Sequence, residues 1–164
     1  MESRTGSPIS AAIDVLGDRW SLLLLRDVIF GDSRYFRALL TGSAEGIASN
    51  ILADRLVRLV DAGLLTRGTA ARGQRARFSL TEAGIQTLPV LYALGNWGFD
   101  WRAGSDELRS RQQLLRDEGP EFIGRIMDEL RVRHLGTPAK AHDGPGALER
   151  LAAAYAGVPE AVSP

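Results

Sequence analysis

Five residues in one stretch have side chains suited to reading base edges: Asn50, Ala53, Asp54, Val57 and Arg58. Steps of three and four between them place all five on one side of a helix. Asn can bond adenine through two hydrogen bonds, Arg prefers guanine, and Ala or Val fits against a thymine methyl. Asp54 is unfavourable near phosphates unless it accepts from cytosine or pairs with Arg58, four residues on. A plainer reading stays open, in which Asn50 only caps the helix and Arg58 is solvated. The other side of the stretch carries Leu52, Leu56, Leu59 and Val60. Ser49 and Asn50 are good cap types at its start, and Gly63 stops it. This pattern predicts one amphipathic helix of about 14 residues, of a size that a DNA major groove admits. Because amphipathicity is the default for any surface helix, the neighbouring sequence has to decide.

That sequence is basic. From Ser33 to Leu80 there are eight arginines against three acids, although the whole chain has a formal net charge of zero. Beyond Ala103 eight basic residues face ten acidic ones, so the positive charge is concentrated around the helix. Arg34, Arg37, Arg72, Arg75 and Arg77 are candidates for phosphate contact, which positions a protein without reading sequence. Ser33 offers a hydroxyl and a helix N-terminus to the same end, and Ser49 lies beside the reading face. Arg55 is suited instead to an ion pair with an acid on a neighbouring helix.

Several kinds of chemistry are excluded or disfavoured. The chain has no cysteine, which removes disulfides, thiolate nucleophiles, cysteine-bound zinc and thiol sensing. His134 and His142 lie eight apart without a cluster of further ligands, so no metal site is expected. No nucleophile elbow, phosphate-binding loop or dinucleotide fingerprint occurs. Adjacent carboxylates such as Asp117-Glu118 and Asp128-Glu129 point apart on a helix and make no acid–base pair. No enzyme and no cofactor is therefore expected. The longest apolar run, Leu22 to Leu25, is too short to cross a bilayer. Without a signal peptide either, a cytoplasmic protein with no membrane partner is expected.

The elements that must hold the reading helix follow from the same periodicities. Ser7-Pro8 starts a helix carrying Ile9, Ala12, Ile13 and Leu16, ended by Gly17. Asp18 caps a second, apolar nearly all round from Arg19 to Phe30, which should lie buried at the centre. Ser33 caps a short third helix with Tyr35, Phe36, Leu39 and Leu40. A turn then leads into the reading helix, giving a helix-turn-helix. Leu64 to Arg67, and then Ala76, Phe78 and Leu80 in alternation, predict two strands joined by a basic loop. Thr81 caps a helix running to about Trp101, with Pro89 either kinking it or sitting where it bends anyway. Leu91, Tyr92, Leu94, Trp97 and Trp101 make that helix too apolar for a small domain to cover alone, so with Ile9 and Ile13 they are candidate dimer contacts. An effector pocket lined by the same aromatics is the alternative. After Gly104, helices are expected at Asp106 to Asp117, Glu121 to Leu135 and Gly146 to Ala156.

The run Pro8-Ile9, Ile13-Asp14, Leu16-Gly17-Asp18-Arg19-Trp20-Ser21 closely resembles the HxlR family of bacterial winged-helix transcriptional regulators, and is distinctive of it. Leu52-Ala53-Asp54-Arg55-Leu56, Leu59, Gly63-Leu64-Leu65-Thr66-Arg67, Arg75, Phe78-Ser79-Leu80-Thr81, Gly84, Leu88, Leu94 and Trp97 extend the resemblance across Ser7 to Arg102. Many members carry a cysteine where this chain has Ser7, so their thiol sensing does not carry over. The loop between the strands lacks the family's prolines and is more basic. The resemblance implies a mainly α fold with a small β-hairpin wing, as residues 1–102, and a homodimer in which the N-terminal and post-wing helices meet. It also implies double-stranded DNA as partner, at a pseudo-palindromic operator. Residues 103–164 form a helical extension on which the resemblance is silent. The expected function is a sequence-specific repressor, with an unknown small-molecule effector as an open addition. A winged-helix protein-interaction module that never touches DNA is the alternative.

Overall fold

The computed structural model describes residues 6–69, 75–141 and 144–156. By compactness the chain divides into a first unit, Met1–Ile85, and a second, Gln86–Pro164. The boundary expected at 102/103 therefore differs from the division by compactness.

The first unit begins with α1 (Pro8–Leu16), where the Ser7 hydroxyl accepts from the Ser10 amide and Gly17 closes the C-terminus. Helix α2 (Arg19–Gly31) is capped by Asp18, whose Oδ1 accepts from the Trp20 and Ser21 amides at 2.9 and 3.1 Å. Its Leu24, Leu25, Val28 and Ile29 are buried and form the centre of the unit, as their apolar density predicts. Helix α3 (Phe36–Gly42) starts later than expected. Tyr35 is its N-cap and makes no side-chain cap bond, so Ser33 caps nothing. Extended backbone replaces the expected first turn: Phe78 N–H donates to the Arg34 carbonyl at 2.8 Å, and Tyr35 bridges Arg77 in antiparallel fashion.

Helix α4 (Ser49–Asp61) forms where the candidate reading helix is expected. Leu52, Leu56 and Leu59 are buried and Val60 half-buried, as the 3.6-residue period requires. Its N-cap is Ala48 rather than Ser49 or Asn50, and no side chain caps it. Gly63 follows with φ +73°, a left-handed geometry in which a side chain would be strained, and turns the chain into β1 (Leu65–Arg67). β1 pairs antiparallel with β2 (Phe78–Leu80) in the register Leu65↔Leu80, Thr66↔Ser79, Arg67↔Phe78. Phe78 and Leu80 point inward, as the alternation predicts.

The single helix expected from Thr81 to Trp101 is two. Thr81 Oγ1 accepts from the Gly84 amide at 3.1 Å and starts α5 (Glu82–Ile85). A new helix, α6 (Leu88–Trp101), begins with Pro89 in its first turn. An unbroken helix would drive the Pro89 ring into the Ile85 carbonyl, whereas the first turn needs no N–H there.

The second unit consists of α6, α7 (Asp106–Leu135) and α8 (Ala147–Ala156). Helix α7 breaks its helical geometry at Gly119 (φ +72°, ψ −162°), just before Pro120, where the sequence predicts the break. Gln112 Nε2 donates to Asn96 Oδ1 at 2.8 Å, and Gly95 lets the Gln112 side chain lie against α6. Leu115, Phe122, Ile126, Leu130, Leu148 and Leu151 are buried. The Glu129 carboxylate accepts from the Leu148 amide at 3.0 Å and so caps α8 from α7. Among the described residues no helix is long and apolar enough to cross a membrane, and no cluster of ligand side chains could hold a metal.

Candidate nucleic-acid interface

Two polar contacts determine how α4 is held. Asp18 does more than cap α2. The Ser21 hydroxyl donates to it, and Arg55 Nε from α4 lies 3.3 Å from its Oδ1. Burial pushes the Asp18 carboxyl up, but the bonds from Ser21 and the Trp20 and Ser21 amides, with the Arg55 charge, outweigh it and hold it below 3.8. The ion pair expected of Arg55 is thus with the cap residue of α2. The second contact fixes the turn before α4. Arg26 on α2 grips Glu45 bidentately, at 2.6 and 2.9 Å. This bond raises the Arg26 pKa and, against burial, holds Glu45 below its ordinary 4.5.

With its inner face and both approaches held, α4 presents Ser49, Asn50, Ala53, Asp54, Val57 and Arg58 outward, all exposed. Asn50 makes no cap bond, so its amide is available to a partner. The pairing of Asp54 with Arg58 does not form; the basic group nearest Asp54 is Arg55 Nη1 at 3.9 Å. Asp54 points outward, while Arg55 is drawn toward Asp18. Arg58 makes no ion pair with another described residue.

Among the phosphate candidates, Arg37, Arg75 and Arg77 are exposed. Arg34 is not available: it is 3% exposed, its Nε donates to the Phe78 carbonyl at 3.0 Å, and its Nη2 donates to the Ser79 hydroxyl. It braces β2 against the segment before α3, a role its sequence neighbourhood could not reveal because the partners lie more than forty residues away. Ser33 is half-buried and lies two residues before the cap of α3, so the helix terminus expected to accompany it is absent. Arg72 lies outside the described residues. Arg67, not singled out from the sequence, ends β1 exposed and basic close to Arg75 and Arg37. By alternation it shares the face of the buried Leu65, so the strand pattern gives no signal for it; its exposure comes from its place at the end of the strand.

The candidate dimer residues fall on both units. Ile9 and Ile13 are 74% and 60% exposed on α1. On α6, Leu94, Trp97 and Trp101 are exposed, and Leu91 and Tyr92 are half-buried. The aromatics are partly occupied within their own unit: the Arg102 guanidinium stacks 4.6 Å from the Trp97 ring centre. His134 lies in α7, and His142 falls outside the described residues.

Comparison with known proteins agrees with this architecture. The model of the HxlR-like helix-turn-helix family matches residues 15–106. Uncharacterized HTH-type transcriptional regulators of Mycobacterium bovis and of Synechocystis are each 32% identical to the chain, over 116 and 114 residues. The matches span 70% and 69% of this chain, and 64% and 81% of those proteins. The crystal structure of PA1607, described as a candidate transcription factor, superposes with a TM-score of 0.56 at 34% identity, covering 63% of this chain and 71% of that one. A MarR-family regulator structure from Porphyromonas gingivalis, at 24% identity and a TM-score of 0.51, shares the fold. A winged helix-turn-helix with the matching signature around Asp18, and relatives named as regulators rather than as enzymes, leads to one conclusion: the chain belongs to the HxlR-like helix-turn-helix family.

Proposed function

We propose that the protein is a sequence-specific, homodimeric DNA-binding transcriptional repressor of the cytoplasm. The observation that supports this most is the outer face of α4, where Asn50, Ala53, Val57 and Arg58 stand exposed, with Arg37 and Arg75 lining one groove with Ala53 and Val57, and Arg77 exposed next to β2. That combination supplies base-edge readers and phosphate contacts on one unit. Ser49 and Asp54 complete the face, with Asp54 a candidate acceptor for cytosine. The exposed apolar faces of α1 and α6 suit contact with a second copy, so that two reading helices address two half-sites of a pseudo-palindromic operator. Residues 1–102 form the DNA-binding and dimerisation domain on this reading, and 103–164 a helical extension. With no cysteine in the chain, the thiol sensing of many family members does not carry over.

A titration of labelled duplex from the chain's own promoter region tests the reading. The expected result is saturable binding that survives competitor DNA, weakens with salt, and has a stoichiometry of two chains per duplex. Removing the protein from its host is expected to raise transcription from that promoter. Binding indistinguishable from random duplex would favour a protein-interaction module, for which the acids Asp54 and Asp61 on the same face leave room.

A further inference from the structure

A groove of about 710 Å³ opens in the first unit between α3, α4 and the hairpin. Leu56, Val60, Ala76 and Phe78 line its interior, and Phe36 and Val57, 37% and 56% exposed, leave apolar surface at its mouth. Three arginines, Arg37, Arg67 and Arg75, also line it, against one acid, Asp61. None of the three makes an ion pair with another described residue. A space of this size is in the range that accommodates a small organic molecule. Apolar walls select an apolar body, because that body leaves water on entry. Planar guanidinium groups at the rim select a carboxylate, which they can bond in bidentate fashion.

We infer that this groove is a binding site for a small amphipathic carboxylate, an aryl or short alkyl body carrying one anionic head. The head sits among Arg37, Arg67 and Arg75, and the body lies along Val57, Val60 and Phe78. Arg37, Ala53, Val57 and Arg75 belong both to the groove and to the proposed DNA surface. A bound carboxylate would neutralise two of the phosphate-contacting arginines and occupy the space in front of Val57. Ligand and DNA therefore exclude each other. This consequence rests on the DNA-binding reading; the binding of the carboxylate does not.

Calorimetry on the full chain with phenylbutyrate, and with the neutral phenylbutanol, tests the site. Phenylbutyrate is expected to bind once per chain, with the alcohol about tenfold weaker. Arg67→Gln, at an exposed strand end outside the proposed DNA contacts, should lower phenylbutyrate affinity about tenfold and leave the alcohol unchanged. Amide NMR shifts should move at Phe36, Ala53, Val60 and Phe78. The assignment is overturned by absence of binding at millimolar phenylbutyrate, by equal affinity for acid and alcohol, by indifference to Arg67→Gln, or by shifts gathered on α6. A labelled promoter duplex supplies the second arm. Phenylbutyrate should release it from the unaltered chain at concentrations that leave Arg67→Gln bound. If the duplex binds and phenylbutyrate fills the groove without displacing it, mutual exclusion is wrong. If the duplex never binds, the regulator reading fails while the calorimetry still decides the site.

Discussion

Arg58, Arg75 and Arg34 carry the same charge and have different expected roles, because their surroundings differ. Arg58 is exposed on the reading face, where a guanidinium can choose a base. Its replacement by Ala should change which operator variants are preferred, which a comparison of affinities across single-base operator changes will show. Arg75 is exposed beside the hairpin, where the proposed reading has it meet phosphates. Arg75→Ala should weaken binding to every sequence and flatten the plot of log affinity against log salt by about one unit. Arg34 is buried with bonds to Phe78 and Ser79, so Arg34→Ala should cost about 2–3 kcal/mol of unfolding free energy in a denaturant titration. Arg37 resembles Arg34 in sequence context, three residues away, yet lies exposed. Nothing local distinguishes them; the difference is set by where the second strand passes.

The elements around α4 explain how short-range signals and long-range contacts combine. The caps at Ser7, Asp18 and Thr81 are local hydrogen bonds between a side chain and an amide two or three residues on, and they fall where residue type predicts. Ser33, Ser49 and Asn50 have the same chemistry and do not cap, because the chain before α3 is held extended by the sheet, and the cap position of α4 falls one residue earlier, on Ala48. Two element-level outcomes can be checked. A Cβ on Gly84 would lie 2.1 Å from the Leu64 carbonyl oxygen, so α5 approaches β1 only because the residue is glycine. Gly84→Ala should therefore destabilise the fold by about 1–3 kcal/mol, read as a lowered Tm. The Arg26–Glu45 clamp makes the helix-turn-helix sensitive to acid. Glu45 is held below its ordinary 4.5, so its stabilisation is complete above that value and is lost as pH falls through the lower folded-state value. In denaturant titrations, Glu45→Gln should be clearly less stable than the unaltered chain at neutral pH, and the gap should close in acid.

At the scale of the whole molecule, the exposed aromatics of α6 and the isoleucines of α1 are the proposed dimer contacts. Trp97 and Trp101 are 53% and 67% exposed, and neighbouring exposed apolar side chains of this size suit a partner surface. Trp101→Glu should shift the protein to monomer in light scattering and weaken operator binding by tenfold or more, since each half-site then binds alone. A dimer that persists unchanged would move the interface elsewhere.

The sequence by itself determined most of the elements and the inner face of α4, though not the division of the helix before Pro89 or the late start of α3. Apolar spacing and caps are local properties, and burying a stripe of leucines leaves little choice about which side of α4 faces outward. It also determined what the protein lacks, since a chain without cysteine has no thiol to oxidise. Tertiary structure alone decided which polar groups remain available for a partner. Arg34 was consumed by strand β2 and Arg55 by the cap of α2, while Asn50 was released when the cap position of α4 fell on Ala48. It also brought Arg37, Arg67 and Arg75 around one apolar groove from three separate segments. Hydrogen bonds and ion pairs between residues far apart in the chain have no periodicity to betray them, and they exist only once the backbone has closed.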